Sequence, residues 1–317
     1  MLTDPRVSAC VVLYHSGEEA MHTVRCLLDS EEPVEIFVVD NSPKDGIGEQ
    51  IHLRYLSVNY SETKKNLGYG RANNTVIESL TSRYHLILNP DVTFAPDLIG
   101  RMVAFMDTHD DVVILSPKVF NPDGTEQFLP RRKPTVRYLL GGRRALRSEK
   151  VLAKAQALRE KAAQTDEAAR ASWAENRSGG GFRSLMRGNR QEMALTLLTK
   201  RAAYLEKKAA RMRAWRDEYT LADPAPTEPM EIQLATGCFL MIRTHTFYRM
   251  RGFDPRFFLY HEDSDLSMSA AVHGKIVYHP DMHVTHTWHR DSAHKLLPLL
   301  RHIRSSVLFF HKWGWRW

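Results

Sequence analysis

The stretch VSACVVLYHSGEEAMHTVRCLLDSEEPVEIFVVDNS, residues 7 to 42, decides the fold. It contains an apolar run at 7 to 14, a segment of helical periodicity at about 18 to 29 and a second apolar run at 34 to 40. Continuous apolar runs are typical of strands that are covered on both faces, so we predict a strand, a helix and a parallel strand. This unit is the repeating element of a doubly wound α/β sheet.

The same alternation continues beyond this unit and returns near the end of the chain. Further strands are predicted at 52 to 58, 84 to 89, 112 to 120, 232 to 243 and 275 to 280. Further helices are predicted at about 70 to 80, 96 to 108 and 263 to 273. The fold class is therefore α/β, with a mostly parallel, Rossmann-like sheet flanked by helices, and ligands are expected beyond the carboxyl ends of the strands.

Residues 131 to 228 interrupt the alternation. Two stretches rich in Ala, Arg, Lys, Leu and Glu, separated by RSGGGFRS at 177 to 184, predict two long helices joined by a turn. ADPAPTEP at 222 to 229 predicts a stiff linker. We therefore expect half of an α/β domain at 1 to 130, the helical insertion, and the second half of the domain at 229 to 317.

The positive charge of the chain is concentrated in this insertion. The whole chain has a net charge of +7, whereas residues 131 to 216 hold 23 Lys and Arg against 7 Asp and Glu. Such a segment suits an anionic partner, namely a membrane surface, a nucleic acid or a phosphorylated substrate. Two interpretations stay open: a solvated hairpin that could serve as an oligomerisation arm, and an element that docks on a membrane.

The C-terminal stretch KLLPLLRHIRSSVLFFHKWGWRW, residues 295 to 317, predicts an amphipathic helix with an aromatic tail. It suits either docking on the core or contact with a membrane surface. Cys10, Cys26 and Cys238 match no metal spacing and give no disulfide framework, which indicates a reducing compartment such as the cytoplasm. The N-terminus lacks the apolar segment of a signal peptide, and no apolar run is long enough to span a bilayer.

Polar residues and glycines follow the predicted strands. Asp40 ends the second strand, where it is either a turn-forming residue or an acceptor for the imide N–H of uracil or thymine. Tyr14, at the end of the first strand, is placed to pack against such a base. In KNLGYGRANN, Gly68 allows phosphate to approach the backbone at the start of a helix, and Arg71 adds positive charge.

Two further motifs carry carboxylates. Asp91 in LILNPDV, residues 86 to 92, is either a turn residue or a ligand for a divalent cation that bridges two phosphates. GFDPRFFLYHEDSDL, residues 252 to 266, places aromatic residues against acids at a helix start. Those acids either cap the helix or include a desolvated carboxylate that works as a base. His283 and His286 face opposite sides of a strand and form no zinc pair, although one imidazole could reach a metal held by oxygen ligands.

The order of these motifs resembles that of a known family. VVDNS, NLGYGRANN, LNPDV, TGCFLMIR, GFDPRFFLYHEDSDL and a histidine six residues after Pro280 make the chain similar to family 2 glycosyltransferases of the GT-A fold. Within that family the chain looks like the bacterial rhamnosyltransferases. The resemblance covers about residues 1 to 128 and 230 to 315 and leaves the insertion outside.

The resemblance implies a role for the residues of each motif. It implies nucleotide binding by Tyr14, Asp40, Asn41, Gly68, Arg71 and Asn89, and contact with the diphosphate by Arg290, Ser292 and Lys295. It makes Asp91 the metal-binding acid of the family's D-x-D element, with Asn89 at the first position, so metal binding is expected to depend also on His286 and the donor phosphates. Gly237 and Cys238 would line the sugar site. Glu262 and Tyr260 would support the acceptor side, and Asp263 corresponds to the family's catalytic base.

What the resemblance implies is an inverting sugar transfer. Asp263 would take the proton of an acceptor hydroxyl as that oxygen attacks the anomeric carbon, while Mg²⁺ or Mn²⁺ and basic groups stabilise charge on the leaving diphosphate. The expected donor is dTDP-L-rhamnose, and the expected acceptor is a saccharide or lipid-linked saccharide of a bacterial surface polysaccharide or lipopolysaccharide, at the inner face of the cytoplasmic membrane. The alternatives are a UDP-hexose transferase of the same fold and a non-catalytic protein that binds a nucleotide or an anionic surface. Nucleic acid is not the expected partner.

Overall fold

The computed structural model describes residues 5 to 42, 46 to 175, 182 to 222, 225 to 287 and 296 to 317. The chain forms two compact units. The first, Met1–Lys133 with Thr220–Arg316, contains the sheet and the helices that cover it. The second, Pro134–Tyr219 with Trp317, consists of two long helices. Among the helices formed by the described residues, none combines the length and apolar character needed to cross a bilayer.

Nine strands in this part of the chain form one sheet. They are β1 (Val7–Leu13), β2 (Val34–Asp40), β3 (Asn59–Glu62), β4 (Tyr84–Leu88), β5 (Val92–Thr93), β6 (Val112–Phe120), β7 (Met230–Glu231), β8 (Phe239–Arg243) and β9 (Lys275–His286). The helices of the first unit are α1 (Glu19–Leu28), α2 (Ile47–Arg54), α3 (Tyr69–Asn73) with a 3-10 helix directly after it (Asn74–Ser79), α4 (Leu98–Thr108), α7 (Thr244–Arg249), α8 (Glu262–Ala270) and α9 (Leu296–Trp313). Helices α5 (Val136–Glu175) and α6 (Phe182–Tyr219) form the second unit.

The strand order is β3-β2-β1-β4-β8-β6-β9-β5, and β7 pairs with β9. Strands β1 to β4 are parallel, and β6 is parallel to β9. Strand β8 runs antiparallel to both of its neighbours, and β5 and β7 run antiparallel to β9. The sheet is therefore more mixed than the mostly parallel one predicted, although the α/β class is confirmed. Because β1, β2 and β4 run in one direction, their carboxyl ends meet at one edge.

The strands at the centre of the first unit are buried along their whole length, as their apolar sequences predict. All seven residues of β1 and all five of β4 are buried. Helix α1 covers them with Ala20, Val24 and Leu27, which are spaced by four and three residues and so share one side of the helix. Each large aliphatic side chain buried in this way stabilises the fold by about 1.5–3 kcal/mol.

Three predicted strands differ in the structure. Residues 52 to 58 do not form a strand, because α2 extends into this stretch and ends at Arg54. The helix begins after Gly46, which has φ 79°, and buries one side through Ile47 and Ile51. The strand predicted at 232 to 243 is reduced to β8, because the residues before it pair elsewhere: the N–H of Ile232 donates to the carbonyl oxygen of Ile276, and Leu234 pairs with Arg131. The strand predicted at 275 to 280 continues to residue 286 after an irregularity in its pairing with β6.

The second unit is held by small side chains. The buried positions of α5 include Ser148, Ala155 and Ala162, and those of α6 include Ala202 and Ala209, in each case seven residues apart. Small residues at heptad spacing allow two helices to pack closely along their length. Across the pair, the guanidinium group of Arg159 donates two hydrogen bonds of 2.9 Å to the carboxylate of Glu206. The two long helices predicted for the insertion are thus observed.

Candidate functional site

Asp40 lies at the carboxyl end of β2 and is buried, with 1% of its surface exposed. Its Oδ1 accepts the N–H of Ser42 at 2.9 Å, and its Oδ2 accepts the hydroxyl of Tyr60 at 3.3 Å. Tyr14 follows Leu13, the register partner of Asp40, and keeps 49% of its surface exposed. The acid predicted to read a base is therefore fixed at the sheet edge, with an exposed ring on the adjacent strand.

Asn41 organises the loop that precedes α3. Its Oδ1 accepts the N–H of Leu67 at 2.8 Å, and its Nδ2 donates to Oδ1 of Asn66 at 3.1 Å. The same Asn66 oxygen accepts the N–H of Gly68 at 2.8 Å. Arg71, on α3, is exposed. These bonds make Asn41 a positioning residue for the glycine loop, in addition to its predicted place near the nucleotide.

Gly68 connects this loop to the aromatic stretch. It has φ +85°, and a Cβ at this position would lie 2.2 Å from the carbonyl oxygen of Phe258. That oxygen accepts the N–H of Tyr69 at 3.3 Å. A glycine is required here for two reasons, since both the dihedral angle and the close approach exclude other side chains.

The predicted metal-binding residues lie together where β4 ends and β9 ends. Asp91 Oδ1 is 3.3 Å from Nε2 of His286, and Nδ2 of Asn89 is 3.1 Å from the same nitrogen. On the other side of the ring, Nδ1 lies 3.0 Å from Oε1 of Gln127, whose Nε2 donates to the backbone oxygen of His286 at 2.7 Å. Gln127 thus fixes the orientation of the imidazole, which is a typical second contact for a metal-binding histidine.

These residues fit a divalent cation. The Oδ1 atom of Asp91 is buried and accepts no hydrogen bond, so it leaves an unused electron-pair donor in a shielded position. A carboxylate oxygen and an imidazole nitrogen suit Mg²⁺ or Mn²⁺ when phosphate oxygens complete the coordination. Within the described ranges, no group of three or more His, Cys, Asp and Glu side chains could hold an ion unaided. A nucleotide donor would have to supply the remaining ligands.

Gly237 and Cys238 join the predicted metal-binding residues to the predicted base. The N–H of Gly237 donates to Oδ2 of Asp263 at 3.3 Å, and the N–H of Asn89 donates to the carbonyl oxygen of Cys238 at 2.9 Å. The hydroxyl of Tyr69 donates to the carbonyl oxygen of Gly237 at 2.8 Å. Burial raises the pKa of the Cys238 thiol to about 12, so this sulfur lines the site as a neutral group and not as a nucleophile.

Glu262 and Asp263 begin α8 but have different surroundings. Glu262 is 7% exposed, and its Oε2 has no hydrogen-bond partner. Burial, followed by the charge of Asp263, raises the pKa of Glu262 from 4.5 to about 8, so this side chain is neutral at pH 7. Asp263 accepts the N–H of Ser264 at 2.7 Å through Oδ1. Asp263 therefore satisfies one N–H of the first helical turn while its second oxygen is directed to Gly237.

Strained backbone precedes these acids. Tyr260 and His261 have φ angles of 70° and 63°, which non-glycine residues rarely adopt. Each such residue costs about 1–3 kcal/mol and persists only where its surroundings enforce it. The strain indicates that the loop before α8 is held in the shape that positions Glu262 and Asp263.

Helix α9 supplies part of that enforcement. Ser305 donates to the carbonyl oxygen of Leu259 at 2.8 Å, and Oγ of Ser306 lies 3.0 Å from Nε2 of His261. Farther along the helix, Lys312 donates to Asp265. The sequence left docking on the core and contact with a membrane surface open for this helix. These bonds show that one of its faces is docked on the core. Its other face exposes several large apolar residues, namely Leu300, Ile303 and Val307.

Most of the predicted site residues belong to one continuous set of contacts. The path runs from Asp40 through the glycine loop to the aromatic stretch, the Gly237 turn and the predicted metal-binding residues. It includes Asn41, Asn66, Gly68, Tyr69, Phe258, Gly237, Asp263, Cys238, Asn89, His286 and Asp91. Tyr14 and Arg71 are exposed, and the ring of Tyr260 lies 5.2 Å from that of His302. Arg290, Ser292 and Lys295 lie outside the described residues.

Several functional candidates were not predicted from the sequence. Gln127 and Tyr60 contact predicted site residues but belong to no motif, and only their spatial position identifies them. Tyr69 lies within the motif KNLGYGRANN, but no role was predicted for it, and its contact with Gly237 identifies it. Lys312 and Trp313 place hydrogen-bond donors at the end of an apolar helix, which indicates that they have a polar partner. The sequence does not identify that partner, Asp265, because it lies far away along the chain.

The family model for Glycosyl transferase family 2 matches residues 8 to 165. That range includes the sheet edge, the glycine loop and Asp91, the acid predicted to bind a metal. The chain belongs to this family. The family resemblance inferred from the sequence motifs is therefore confirmed, and this family 2 glycosyltransferase catalyses glycosyl transfer.

Two curated relatives of this family 2 glycosyltransferase are rhamnosyltransferases. One is N-acetylglucosaminyl-diphospho-decaprenol L-rhamnosyltransferase of Mycobacterium tuberculosis, 24% identical over 308 residues, which cover 91% of this chain and 79% of the relative. The other is rhamnosyltransferase WbbL of Escherichia coli, 31% identical over 80 residues, which cover 25% of this chain and 30% of the relative. The first relative is similar along most of its length.

Solved structures show the same fold. The mannosyltransferase PcManGT of Pyrobaculum calidifontis, in complex with GDP-Man and Mn²⁺, has a TM-score of 0.53 at 13% identity, covering 98% of this chain. Residues 1–349 of S. aureus TarS give a TM-score of 0.50 at 14% identity, covering 89% of this chain. This family 2 glycosyltransferase spans 64% and 60%, respectively, of those two chains. The predicted GT-A fold is confirmed.

Proposed function

We propose that this enzyme transfers L-rhamnose from dTDP-L-rhamnose to a saccharide carried on a lipid diphosphate, in the synthesis of a bacterial surface polysaccharide. The sugar and the lipid carrier are suggested by the activity for which the Mycobacterium tuberculosis relative is named. Such an acceptor would keep the reaction at a membrane surface on the cytoplasmic side. The catalytic part of the proposal rests on the site residues.

The observation that carries the proposal is the pair of backbone bonds at Gly237 and Cys238. The N–H of Gly237 holds Asp263 at 3.3 Å, and the carbonyl oxygen of Cys238 holds Asn89 at 2.9 Å. The candidate base is therefore two contacts from the motif that would hold the donor diphosphate. A sugar lying over this turn would have its anomeric carbon between leaving group and base, which is the arrangement that a single displacement with inversion needs.

In this reaction Asp263 accepts the proton of the acceptor hydroxyl while the hydroxyl oxygen forms its bond to the anomeric carbon. The bond from that carbon to the diphosphate oxygen breaks, and the electron pair leaves with the nucleoside diphosphate. Asp91 and His286 would hold a divalent cation, Mg²⁺ or Mn²⁺, whose chemistry is to stabilise charge on the leaving diphosphate. Glu262, neutral at pH 7, adds no second negative charge beside the base.

Asp40 and Tyr14 would bind the nucleotide. A buried carboxylate that accepts the imide N–H recognises thymine and uracil equally well, so Asp40 does not distinguish dTDP from UDP. A UDP-hexose donor is therefore the second candidate. The sugar itself, and not the base, would decide between the two.

The test is turnover with a panel of donors. Purified enzyme with Mg²⁺ or Mn²⁺ is assayed for binding and slow hydrolysis of dTDP-L-rhamnose, UDP-glucose, UDP-galactose and UDP-N-acetylglucosamine. We expect dTDP-L-rhamnose to bind and be hydrolysed, Asp91→Ala to abolish both, and Asp263→Asn to bind without turnover. Hydrolysis of a UDP-hexose alone would replace the proposed donor. Binding no stronger than that of Asp91→Ala with every donor would contradict the proposed site.

A further inference from the structure

The outward side of α6 combines large apolar side chains with lysine and arginine. Met193, Leu197 and Tyr204 keep 73%, 66% and 64% of their surfaces exposed. They are spaced by four and seven residues, so at 3.6 residues per turn they lie on one side of the helix. Single exposed apolar residues are common on protein surfaces, but a group of them on one side of a helix is typical of a binding surface.

Basic residues lie on that same side. Lys200 comes seven residues after Met193, Lys207 comes seven residues after Lys200, and Arg211 comes seven residues after Tyr204. All three are exposed. In the part of the chain that the structure describes, none of the three forms an ion pair with a carboxylate. We call these three cations, together with Met193, Leu197 and Tyr204, the outer face of α6.

The other side of α6 is occupied. Ala202 and Ala209 are fully buried within the second unit, and Ala202 is nine residues, two and a half turns, from Met193. Glu206 binds Arg159 of α5 and so points toward that helix. From Met193 to Arg211 the outer face is therefore the side turned away from α5, and over that length it contains no acidic residue.

We propose that the outer face of α6 binds an anionic lipid surface. Aliphatic and aromatic side chains between cations are the pattern by which a helix lies in a membrane interface, with the apolar groups among the acyl chains and the cations at the lipid phosphates. Apolar insertion or electrostatic attraction alone gives weak binding, whereas the two together give stable attachment to a membrane. The proposal does not depend on which donor or acceptor the enzyme uses.

A second copy of the chain fits this face less well. A two-fold interface places the same patch on both partners, so Lys200, Lys207 and Arg211 would meet cations and no carboxylate. Nucleic acid would satisfy the cations but not Met193 and Leu197, because phosphate recognition makes no use of exposed aliphatic side chains. An anionic bilayer accommodates both kinds of group.

The test is flotation of the full chain with vesicles. Wild-type protein is mixed with vesicles of phosphatidylcholine alone and with vesicles containing phosphatidylglycerol. We expect binding to the anionic vesicles only, and a loss of more than about tenfold in the triple variant Lys200→Glu/Lys207→Glu/Arg211→Glu. The triple variant Met193→Ser/Leu197→Ser/Tyr204→Ser should also lose binding although its charge is unchanged. Circular dichroism would verify that each variant stays helical.

The matched control lies on α5. Lys150, Lys154 and Lys161 are exposed and share one side of α5, and between Lys150 and Lys161 that helix carries no exposed large apolar residue. Charge reversal of these three changes the net charge equally and should reduce vesicle binding much less. An equal loss in this control would overturn the assignment to the outer face.

Two other outcomes would overturn the proposal. One is a change of molecular mass in solution with both triple variants of α6 and no vesicle binding by the wild type, which would make the face a contact between copies. The other is binding of the wild type to an oligonucleotide and not to anionic vesicles. Donor hydrolysis, measured in parallel, is expected to be unaffected in the α6 variants, which separates this proposal from the proposed transfer.

Discussion

The indole N–H of Trp313 donates a hydrogen bond to Oδ1 of Asp265 over 2.7 Å. Lys312 donates to Oδ2 of the same carboxylate at 2.9 Å and also to Asp254 at 2.9 Å. Asp265 lies two residues after Asp263 on α8. The end of α9 therefore holds the helix that carries the candidate base.

Trp313→Phe should lower turnover more than donor binding. The variant keeps an aromatic ring, smaller than the indole, but removes the N–H, so the buried carboxylate of Asp265 loses a donor at a cost of about 1–3 kcal/mol. We expect kcat to fall severalfold with a nearly unchanged donor Kd, because Asp263 would lose its alignment. Trp315→Phe is the control, since Trp315 is 61% exposed. Equal effects of the two substitutions would argue against this role of α9.

Asp263→Asn should abolish transfer while the protein stays folded and binds donor. Asparagine preserves the size of the side chain and one oxygen but cannot accept the proton of the acceptor. Loss of a general base lowers rates by about 10²–10⁴. The measurement is transfer rate beside donor Kd from calorimetry. Retention of more than a tenth of the wild-type rate would exclude Asp263 as the base.

Asp91→Asn should weaken the response of the enzyme to divalent cations. The buried Oδ1 of Asp91 accepts no hydrogen bond, and replacement by an amide removes the negative charge next to His286. We expect the Mn²⁺ concentration for half-maximal donor hydrolysis to rise by at least about tenfold, since a full carboxylate ligand is lost. Asp97→Asn is the control, because the side chain of Asp97 is 47% exposed and pairs with Arg101 on the surface of α4. An unchanged metal requirement in Asp91→Asn would place the cation elsewhere.

Glu262→Gln should make the protein more stable at alkaline pH than the wild type. The folded state raises the pKa of Glu262 from 4.5 to about 8, so between these values the unfolded chain ionises and the folded chain keeps its proton. Wild-type stability should therefore fall as pH rises through this window, by up to about 1.4 kcal/mol per pH unit. The variant lacks this term. Urea unfolding of both proteins at several pH values measures it, and parallel curves would contradict a buried neutral Glu262.

Gly68→Ala should destabilise the fold and impair donor binding, because a Cβ would approach the carbonyl oxygen of Phe258 to 2.2 Å. Gly124→Ala separates this clash from the cost of the backbone angle. Gly124 has φ +80° but nothing within 4 Å of its Cβ position. We expect a loss of about 1 kcal/mol for Gly124→Ala and a larger loss for Gly68→Ala, measured by thermal unfolding. Similar losses would mean that the loop can move away from Phe258.

The strands of the sheet were largely predictable because their sequences are continuous apolar runs. β1, β4 and β6 agree with the sequence to within a residue at either end, since turn residues mark where each run stops. The antiparallel direction of β8 was not predictable. Periodicity shows which residues are buried but not the direction in which a strand enters the sheet. The strand predicted at residues 52 to 58 was wrong because a short apolar run fits a strand or the end of a helix equally well.

Which motifs meet at the site was predictable from their order, but their mutual support was not. The resemblance placed Asp91 and His286 on one metal, and the structure brings them to 3.3 Å. It gave no role to Gln127, which orients His286 across a sequence distance that no local pattern spans. The raised pKa of Glu262 likewise depends on burial by distant residues, so the sequence indicated only that some acid in this cluster would be desolvated.

The place of β8 in the sheet has a consequence for the newly made chain. Strand β6 is joined to β4 only through β8, yet β8 is translated after the whole insertion. While the ribosome adds residues 121 to 238, β4 has an open edge and β6 has no neighbour from the sheet. Such edges favour association between nascent chains. Helices α5 and α6, which are rich in local contacts and able to fold early, would emerge during this interval. A highly charged helical element would therefore form while the sheet is still incomplete.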